Sequence, residues 1–250
     1  MNFLGEIVRK KGDEARLRRS FTEPEYPLFK KRRSLEGALG EKGLSYVFEV
    51  KKASPSGGLL SKADVAETAK RYQALGADAV SVLTDGEYFG GSLTDLVRVK
   101  QVVDLPVLRK DFIVNKDQIR ESLYYGADAV LLIAAILKER TPEFVEYAGY
   151  VGVECVVEAH DGKDLGYALK SDARLIGVNN RSLKTLKTDL KTFEKMAPLI
   201  PDDRLKIAES GLKTRADVKR MREAGADAVL IGSAIMKSDD PGRKIKELMG

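Results

Sequence analysis

Only one cysteine and one histidine occur in the 250 residues, tryptophan is absent, and no long apolar run is present. The single cysteine, Cys155, excludes an internal disulfide, fits a reducing compartment and, among apolar neighbours, is expected to be a buried, inert thiol. One cysteine with one histidine is too few ligands for a zinc or iron site. No apolar stretch reaches the ~18 residues of a membrane span, and the start is too polar for a signal peptide. These absences predict a cytoplasmic protein with no metal and no membrane association.

Positive charge is concentrated at the start of the chain. The net charge is +5, and residues 1–33 hold ten basic residues against five acidic ones, so the remainder is balanced. The run Lys30–Arg33 allows a nucleic-acid-binding interpretation. Because no aromatic residues alternate with these cations, a solvated charged face is the favoured interpretation, and no nucleic-acid partner is expected.

A five-residue repeat dominates the rest of the sequence. GADAV occurs at residues 76–80, 126–130 and 225–229, and residues 171–175 keep only its Asp-Ala pair. Each copy ends a helical pattern and begins an apolar strand, so four periods of about 50 residues make eight strand–helix units. The predicted fold is α/β, a single (β/α)8 TIM barrel, which typically takes ~250 residues. The aspartate of each copy is expected to bond to nearby backbone, a structural role.

The predicted barrel follows an N-terminal helical extension. The expected domains are 1–45, the extension packed on the barrel, and 46–250, the barrel itself. Within the extension we predict a helix over 2–19, a loop over 21–26 and a short helix over 34–39. A last helix is expected at 242–248. The predicted strands are Tyr46–Lys52, Ala79–Thr84, Pro106–Phe112, Ala129–Ala134, Glu154–His160, Leu175–Asn179, Leu205–Glu209 and Ala228–Gly232.

Charged residues stand at the C-terminal ends of strands that should be nearly pure Val, Ile and Leu. Residues two apart in a strand share a side, so these side chains converge. Each costs several kcal/mol to desolvate unless it is partnered. Their convergence from five strands predicts an active site at that end of the barrel. The residues are Glu49, Lys51, Lys110, Glu158, Asn179, Arg181 and Glu209.

Small residues follow the last two strands. Glu209-Ser210-Gly211 and Ile231-Gly232-Ser233 each place a small residue at a strand end before a helix. Exposed N–H groups and a helix N-terminus can hold a phosphate there, although either step alone could be a tight turn. The segment 54–58, SPSGG, is expected to be a mobile loop that covers the ligand.

With these residues placed, the chain closely resembles the indole-3-glycerol-phosphate synthase family over about residues 45–236. The carrying motifs are EVKKASPS at 49–56, FGGS at 89–92, LRKDF at 108–112, VE at 157–158, GVNNR at 177–181, ESG at 209–211 and IGS at 231–233. The resemblance implies ring closure of 1-(2-carboxyphenylamino)-1-deoxyribulose 5-phosphate to indole-3-glycerol phosphate, with loss of carbon dioxide and water. It implies a carboxy-lyase of tryptophan biosynthesis that needs no cofactor or metal and acts on this phosphosugar-anthranilate substrate. The expected oligomeric state is a monomer or weak homodimer.

The resemblance also implies a role for each site residue. Lys110 is the general acid on the ketone, Glu158 takes or relays protons, and Lys51 assists dehydration near the substrate carboxylate. Glu49 and Glu209 orient these groups and Asn179 binds a hydroxyl, and these three residues complete the catalytic set. Arg181 is implied to hold charge near the substrate carboxylate, and with Ser210 and Ser56 it belongs to the predicted substrate-binding set. That set also includes an apolar wall that the aromatic ring needs on physical grounds, for which the candidates, any of which could simply be core, are Phe89, Phe112, Leu131 and Leu183. The phosphate-binding set is Gly211, Gly232, Ser233 and Ser54.

Physical reasoning from the residues agrees with general acid–base chemistry. Ring closure onto a ketone needs a proton as negative charge develops on oxygen. We expect Lys110, flanked by other cations and partly desolvated, to have a lowered pKa that suits this work. His160 follows Glu158 on the same side of its strand, and a structural histidine is expected because the resemblance gives it no role.

Other functions remain open from the sequence. A Schiff-base aldolase would use Lys110 or Lys51 as a nucleophile. A nucleic-acid-binding protein would use the basic leader, which the balanced charge of residues 34–250 argues against. A redesigned catalyst on the same scaffold is disfavoured by the intact constellation.

Overall fold

Eight parallel strands close into a barrel in the computed structural model, which describes residues 3–17, 28–29, 31–41, 43–54, 58–59 and 63–250. Around the barrel each barrel strand lies parallel to those that precede and follow it in the chain, and the last strand closes the barrel against the first. The predicted (β/α)8 fold is confirmed. The strands are β1 (Ser45–Val50), β4 (Ala79–Leu83), β5 (Val107–Lys110), β6 (Ala129–Ile133), β7 (Glu154–Ala159), β8 (Leu175–Asn179), β9 (Leu205–Glu209) and β10 (Ala228–Ile231).

The helices include several short ones that the periodicity did not predict. Two 3-10 turns, Lys138–Arg140 and Ala197–Leu199, accompany them. The helices are α1 (Phe3–Leu17), α2 (Leu35–Leu39), α3 (Val65–Ala74), α4 (Gly86–Phe89), α5 (Leu93–Val102), α6 (Lys116–Tyr124), α7 (Ala134–Leu137), α8 (Thr141–Val151), α9 (Gly162–Leu169), α10 (Lys191–Met196), α11 (Arg215–Glu223), α12 (Ser233–Met236) and α13 (Pro241–Met249). No helix among the described residues is long and apolar enough to cross a membrane.

The GADAV aspartates have the predicted structural role. Each accepts a backbone N–H at the start of the preceding barrel strand. Asp78 binds the Tyr46 N–H at 2.7 Å, Asp128 binds the Val107 N–H at 2.8 Å, and Asp227 binds that of residue 206 at 2.7 Å. The repeat therefore ties neighbouring strands together at the N-terminal face, opposite the predicted active site.

Strand residues alternate between two apolar layers. Val47 and Leu131 point into the barrel, whereas their neighbours Phe48 and Val130 pack against the surrounding helices. This is the period of two that an extended strand imposes. Both layers are buried, which is why the strands of a parallel barrel are apolar on both sides.

The described parts of the extension contact both ends of the barrel. Glu154, the first residue of β7, accepts the Leu35 and Glu36 N–H groups at 2.7 and 2.8 Å, so α2 lies at the N-terminal face. Lys11 of α1 reaches the other end, where its Nζ lies 2.7 Å from Asp85 Oδ2. The division into domains at residue 45 stays a prediction, and the predicted loop over 21–26 lies outside the described residues.

The segment after β1 differs from a plain loop. Strand β2 (Ala53–Ser54) pairs antiparallel with β3 (Gly58–Leu59), so the ends of the predicted mobile loop form a small hairpin. Residues 55–57 at its tip lie outside the described part of the chain.

Candidate active site

A pocket of about 600 Å³ lies at the C-terminal ends of the barrel strands. It gathers most of the site residues predicted from the sequence. Glu209 is the exception in the catalytic set, because it is fully buried beneath the pocket. Ser56 lies outside the described residues, and the Ser54 side chain is also outside them. The predicted residues that line the pocket are Glu49, Lys51, Phe89, Lys110, Phe112, Leu131, Glu158, Asn179, Arg181, Leu183, Ser210, Gly211, Gly232 and Ser233.

Two lysines and three glutamates meet at the floor of this pocket. Lys51 Nζ lies 2.7 Å from Glu49 Oε1. Lys110 Nζ lies 3.5 Å from Glu158 Oε2 and 3.9 Å from Glu49 Oε2, and it also pairs with Glu209. The floor is thus one ionic cluster, in which Lys110 is the centre.

The three carboxyl groups of the cluster differ in the direction of their pKa shift. Burial raises the pKa of Glu49 and of Glu158, but attraction to the lysines outweighs it and both lie below the ordinary value. Burial raises the pKa of Glu209 to about 8, even though Lys110 attracts its ionised form. Repulsion from Glu158 adds to this effect, so Glu209 is the carboxyl group of the cluster that binds a proton most readily.

The predicted lowering of the Lys110 pKa is wrong. Burial alone lowers it, but attraction to Glu209, Glu158 and Glu49 is stronger, so the pKa lies above the ordinary value. The neighbours of this ammonium group in space are carboxylates from other strands. Its cationic neighbour in sequence, Arg109, points out of the barrel toward Glu121, 3.0 Å away. Lys110 therefore carries its proton at all physiological pH values.

Glycines on neighbouring strands make room for two of the buried glutamates. A Cβ at Gly177 in β8 would lie 2.4 Å from Glu209 Oε1. A Cβ at Gly232, directly after β10, would lie 2.5 Å from Glu49 Oε1. Any larger residue at either position would displace a carboxylate of the cluster.

Asn179 links the cluster to the loop that follows β8. Its Nδ2 donates to Glu158 Oε2 at 3.0 Å, and its Oδ1 accepts the Arg181 N–H at 3.0 Å. The Arg181 guanidinium donates to the Leu186 carbonyl at 2.9 Å, which holds it at the pocket. Both residues therefore line the pocket, Asn179 hydrogen-bonded to Glu158 and Arg181 fixed by the loop, and their roles toward the substrate stay predictions.

Small residues form one end of the pocket. Ser210 and Gly211 follow β9 with φ values of 65° and 85°, the left-handed region that residues other than glycine rarely adopt. Gly232 and Ser233 follow β10, and the short helix α12 begins at Ser233. Backbone N–H groups at such turns are suited to hold an anion.

Apolar side chains form another wall. Phe89, at the end of α4, and Phe112 pack with their ring centroids 6.3 Å apart. Leu131 from β6 and Leu183 from the loop after β8 line the same pocket. This wall offers an aromatic substrate a surface of the kind that ligand pockets commonly use.

Sequence reasoning missed several charged pocket residues. Asp85 lies two residues after β4 and Asp111 directly after β5, positions that could have revealed them. Both pair with Lys11 of α1, at 2.7 and 3.3 Å. Three further lysines line the pocket from the last two units, and all three lie beyond the strand ends, one in the loop after β9 and two at the helices that follow β10. These lysines are Lys213, Lys237 and Lys244.

No group of three or more His, Cys, Asp or Glu side chains is arranged to hold a metal ion in the ranges that the structure describes. The ionisable groups of the floor are instead paired with one another as cations and anions. The arrangement can deliver and accept protons, since ammonium and carboxyl groups alternate within hydrogen-bond reach.

A closed (β/α)8 barrel with an ionic pocket at its C-terminal face, where enzymes of this fold carry their active sites, defines a (β/α)8 barrel enzyme. The sequence family described as indole-3-glycerol phosphate synthase matches residues 6–248. The chain belongs to this family.

Relatives of that name match over most of their length. Indole-3-glycerol phosphate synthase of Endomicrobium trichonymphae is 42% identical over 242 residues, 94% of this chain and 94% of its own. That of Desulfotalea psychrophila is 41% identical over 255 residues, 99% of this chain and 98% of its own. That of Acetivibrio thermocellus is 46% identical over 214 residues, 84% of this chain and 82% of its own.

A solved structure supports the fold alone. Thiamine phosphate pyrophosphorylase from Pyrococcus furiosus superposes with a TM-score of 0.63 at 16% sequence identity, covering 86% of this chain and 96% of that chain. At this identity the likeness extends to the barrel and not to its chemistry.

Proposed function

We propose that the enzyme converts 1-(2-carboxyphenylamino)-1-deoxyribulose 5-phosphate to indole-3-glycerol phosphate by general acid–base chemistry without a cofactor. Membership of the family makes it a carboxy-lyase of tryptophan biosynthesis. The observation that carries the mechanism is the ionic cluster, in which Lys110 contacts three buried carboxyl groups within the pocket. Few structural purposes justify burying five ionisable groups together, since their desolvation is costly.

Ring closure is the step assigned to Lys110. A carbon–carbon bond forms between the aromatic carbon that bears the carboxylate and the ketone carbon, and the ketone oxygen takes a proton from the ammonium group. Carbon dioxide then leaves with its bond broken toward the ring. Because its pKa is raised, Lys110 is always loaded with the proton, and its charge stabilises the oxygen as negative charge develops.

Dehydration is assigned to Lys51 and Glu158. The new hydroxyl leaves as water when an acid protonates it, and a proton must be removed to complete the indole ring. Lys51 supports the first event, and the ionised Glu158 accepts or relays the second proton. Asn179, which donates to Glu158 at 3.0 Å, holds that carboxylate, while Glu49 and Glu209 orient the two lysines.

The remaining pocket residues are assigned to binding. Arg181 attracts the substrate carboxylate, and Phe89, Phe112, Leu131 and Leu183 surround the aromatic ring. Ser210, Gly211, Gly232 and Ser233 hold the phosphate, with Ser54 and Ser56 as predicted additions. Lys213 and Lys237, from the same two loops, place further positive charge in the pocket. A phosphate held far from the reacting carbons supplies binding energy for their alignment.

We also propose where the enzyme acts, in which oligomeric state and with which partner. The enzyme acts in the cytoplasm as a monomer or weak homodimer, and the substrate is its only partner, with no nucleic acid involved. Arg33, from the basic leader, donates to the Leu105 carbonyl at 3.2 Å, a use of this cation within the fold itself.

A fluorescence assay of product formation from synthetic substrate tests the proposal. Wild type turns over, and Lys110→Ala loses at least ~100-fold in kcat, the low end for removing a general acid. Lys219→Ala, which removes an exposed lysine of α11, is the matched control and keeps full activity. An active Lys110→Ala contradicts the assignment, and a borohydride-trapped adduct on Lys110 or Lys51 supports a Schiff-base aldolase instead.

A further inference from the structure

The only histidine of the chain lies buried behind the pocket floor. His160 follows β7, and its side chain is 6% exposed. Its Nε2 lies 3.2 Å from Glu158 Oε1, and its Nδ1 lies 3.7 Å from Asp164 Oδ2. Asp164 also accepts the His160 backbone N–H at 3.1 Å, so the start of α9 fixes the residue from behind.

The two oxygens of Glu158 have different neighbours. Oε2 accepts from Asn179 at 3.0 Å and lies 3.5 Å from Lys110 Nζ, on the side of the ionic cluster. Oε1 is the oxygen nearest to the imidazole. His160 does not line the pocket, so any effect on the reaction has to pass through Glu158.

We propose that His160, held by Asp164, is a positioning residue that fixes the Glu158 carboxylate and keeps it ionised, so that its other oxygen stays turned toward the reacting groups. This inference rests on the proposed function, in which Glu158 accepts or relays a proton. It adds a series of contacts that runs from α9 through the imidazole to the Glu158 carboxylate. The expectation of a purely structural histidine did not include these contacts.

The charges around the imidazole support a protonated ring. The groups that face it are Glu158 on its own strand, Asp164 on α9 and Glu209 on β9, all of them acids. Burial alone lowers the pKa of His160, but attraction to these carboxylates outweighs it and the pKa lies above the ordinary value. The interaction is reciprocal, so the imidazolium together with Lys110 lowers the pKa of Glu158.

Because the chain has one histidine, its ring gives a single set of imidazole NMR signals, which report its titration directly. Glu158→Gln lowers the His160 pKa by about one unit or more, the usual effect of losing an opposite charge at this distance. Asp164→Asn, which keeps an oxygen for the backbone N–H, lowers it as well. Asp172→Asn, an exposed carboxylate before β8, is the matched control. A shift in Glu158→Gln no larger than in the control overturns the proposal.

Kinetics separate positioning from a structural role. In His160→Leu the pKa of Glu158 rises, so the acidic limb of the kcat profile moves to higher pH. At pH 7 kcat falls roughly tenfold to a hundredfold, as expected for a misplaced group. It recovers partly at alkaline pH, where Glu158 is ionised again. KM stays unchanged, and His160→Gln, which keeps a donor, restores part of kcat.

Two outcomes oppose the proposal in different ways. A pH-independent loss of kcat in His160→Leu, or no loss, shows a purely structural histidine. Absence of product from wild type defeats the proposed function, while the NMR coupling between His160 and Glu158 needs no substrate and is judged on its own.

Discussion

Replacing Gly177 with alanine tests whether the buried carboxylate of Glu209 is held in place for chemistry. The added Cβ would lie 2.4 Å from Glu209 Oε1 and 3.1 Å from Val156 Cγ1. Glu209 is fully buried and pairs with Lys110, so it has no free space to retreat into. Its carboxylate must shift by roughly half an ångström, and the Lys110 ammonium group shifts with it.

The expected loss is larger in catalysis than in stability. Overpacking of a core costs about 1–3 kcal/mol, and the low end applies because the atom met at 2.4 Å is the end of a flexible side chain. A misplacement of about 1 Å in an active site lowers the rate ~100-fold, so a shift of half that distance is expected to lower kcat about tenfold. KM changes little, since neither Gly177 nor Glu209 lines the pocket.

Urea unfolding and the product fluorescence assay measure the two effects. Gly166→Ala in α9 is the matched control, because a Cβ there meets nothing within 4 Å. Alanine in a helix stabilises by roughly 0.5–1 kcal/mol relative to glycine, so this variant keeps kcat and gains stability. If Gly177→Ala is folded and as active as the control, the position of Glu209 is not critical and the reasoning fails.

Two further predictions concern groups outside the pocket floor. Lys11→Met lowers the free energy of unfolding by about 3–5 kcal/mol, because Asp85 is left as a buried carboxylate without its cation, whereas Asp111 keeps Arg109. In urea unfolding, Lys219→Met, which breaks an exposed pair with Glu223, changes this free energy by at most ~1 kcal/mol, and equal losses in the two variants would contradict the prediction. Cys155 is partly buried and not fully buried as expected, but desolvation still raises its pKa to about 12. At pH 8 iodoacetamide therefore alkylates the native protein at least ~100-fold more slowly than the urea-unfolded protein, and similar rates would show an accessible thiolate.

The period of the sequence was enough to predict the barrel. Apolar strands and the GADAV spacing located all eight barrel strands, with their ends correct to within two residues. The short helices α4, α7 and α12 were missed because four residues are one turn, too few to show a helical period. The hairpin of β2 and β3 was missed for a similar reason, since two residues per strand carry no alternation.

The composition of the site was predicted better than its electrostatics. Charges at strand ends identified the groups that meet, because the ends of neighbouring parallel strands lie together. The predicted direction of the Lys110 pKa shift was wrong because Arg109, its neighbour in sequence, faces the opposite side of the strand. The carboxylates that decide this pKa lie 48 to 99 residues away, so single-strand patterns do not show their distances.

Four members of the ionic cluster come from alternate barrel strands. Glu49, Lys110, Glu158 and Glu209 lie on the first, third, fifth and seventh strands, and the interior of such barrels is filled by layers of four side chains from alternate strands. The cluster is therefore the top layer of the core, with ionisable groups in place of Val, Ile and Leu. Because all four share one layer, a shift of any strand moves a charge against the other three. Gly177, on the strand between Glu158 and Glu209, supplies the space that lets this layer close.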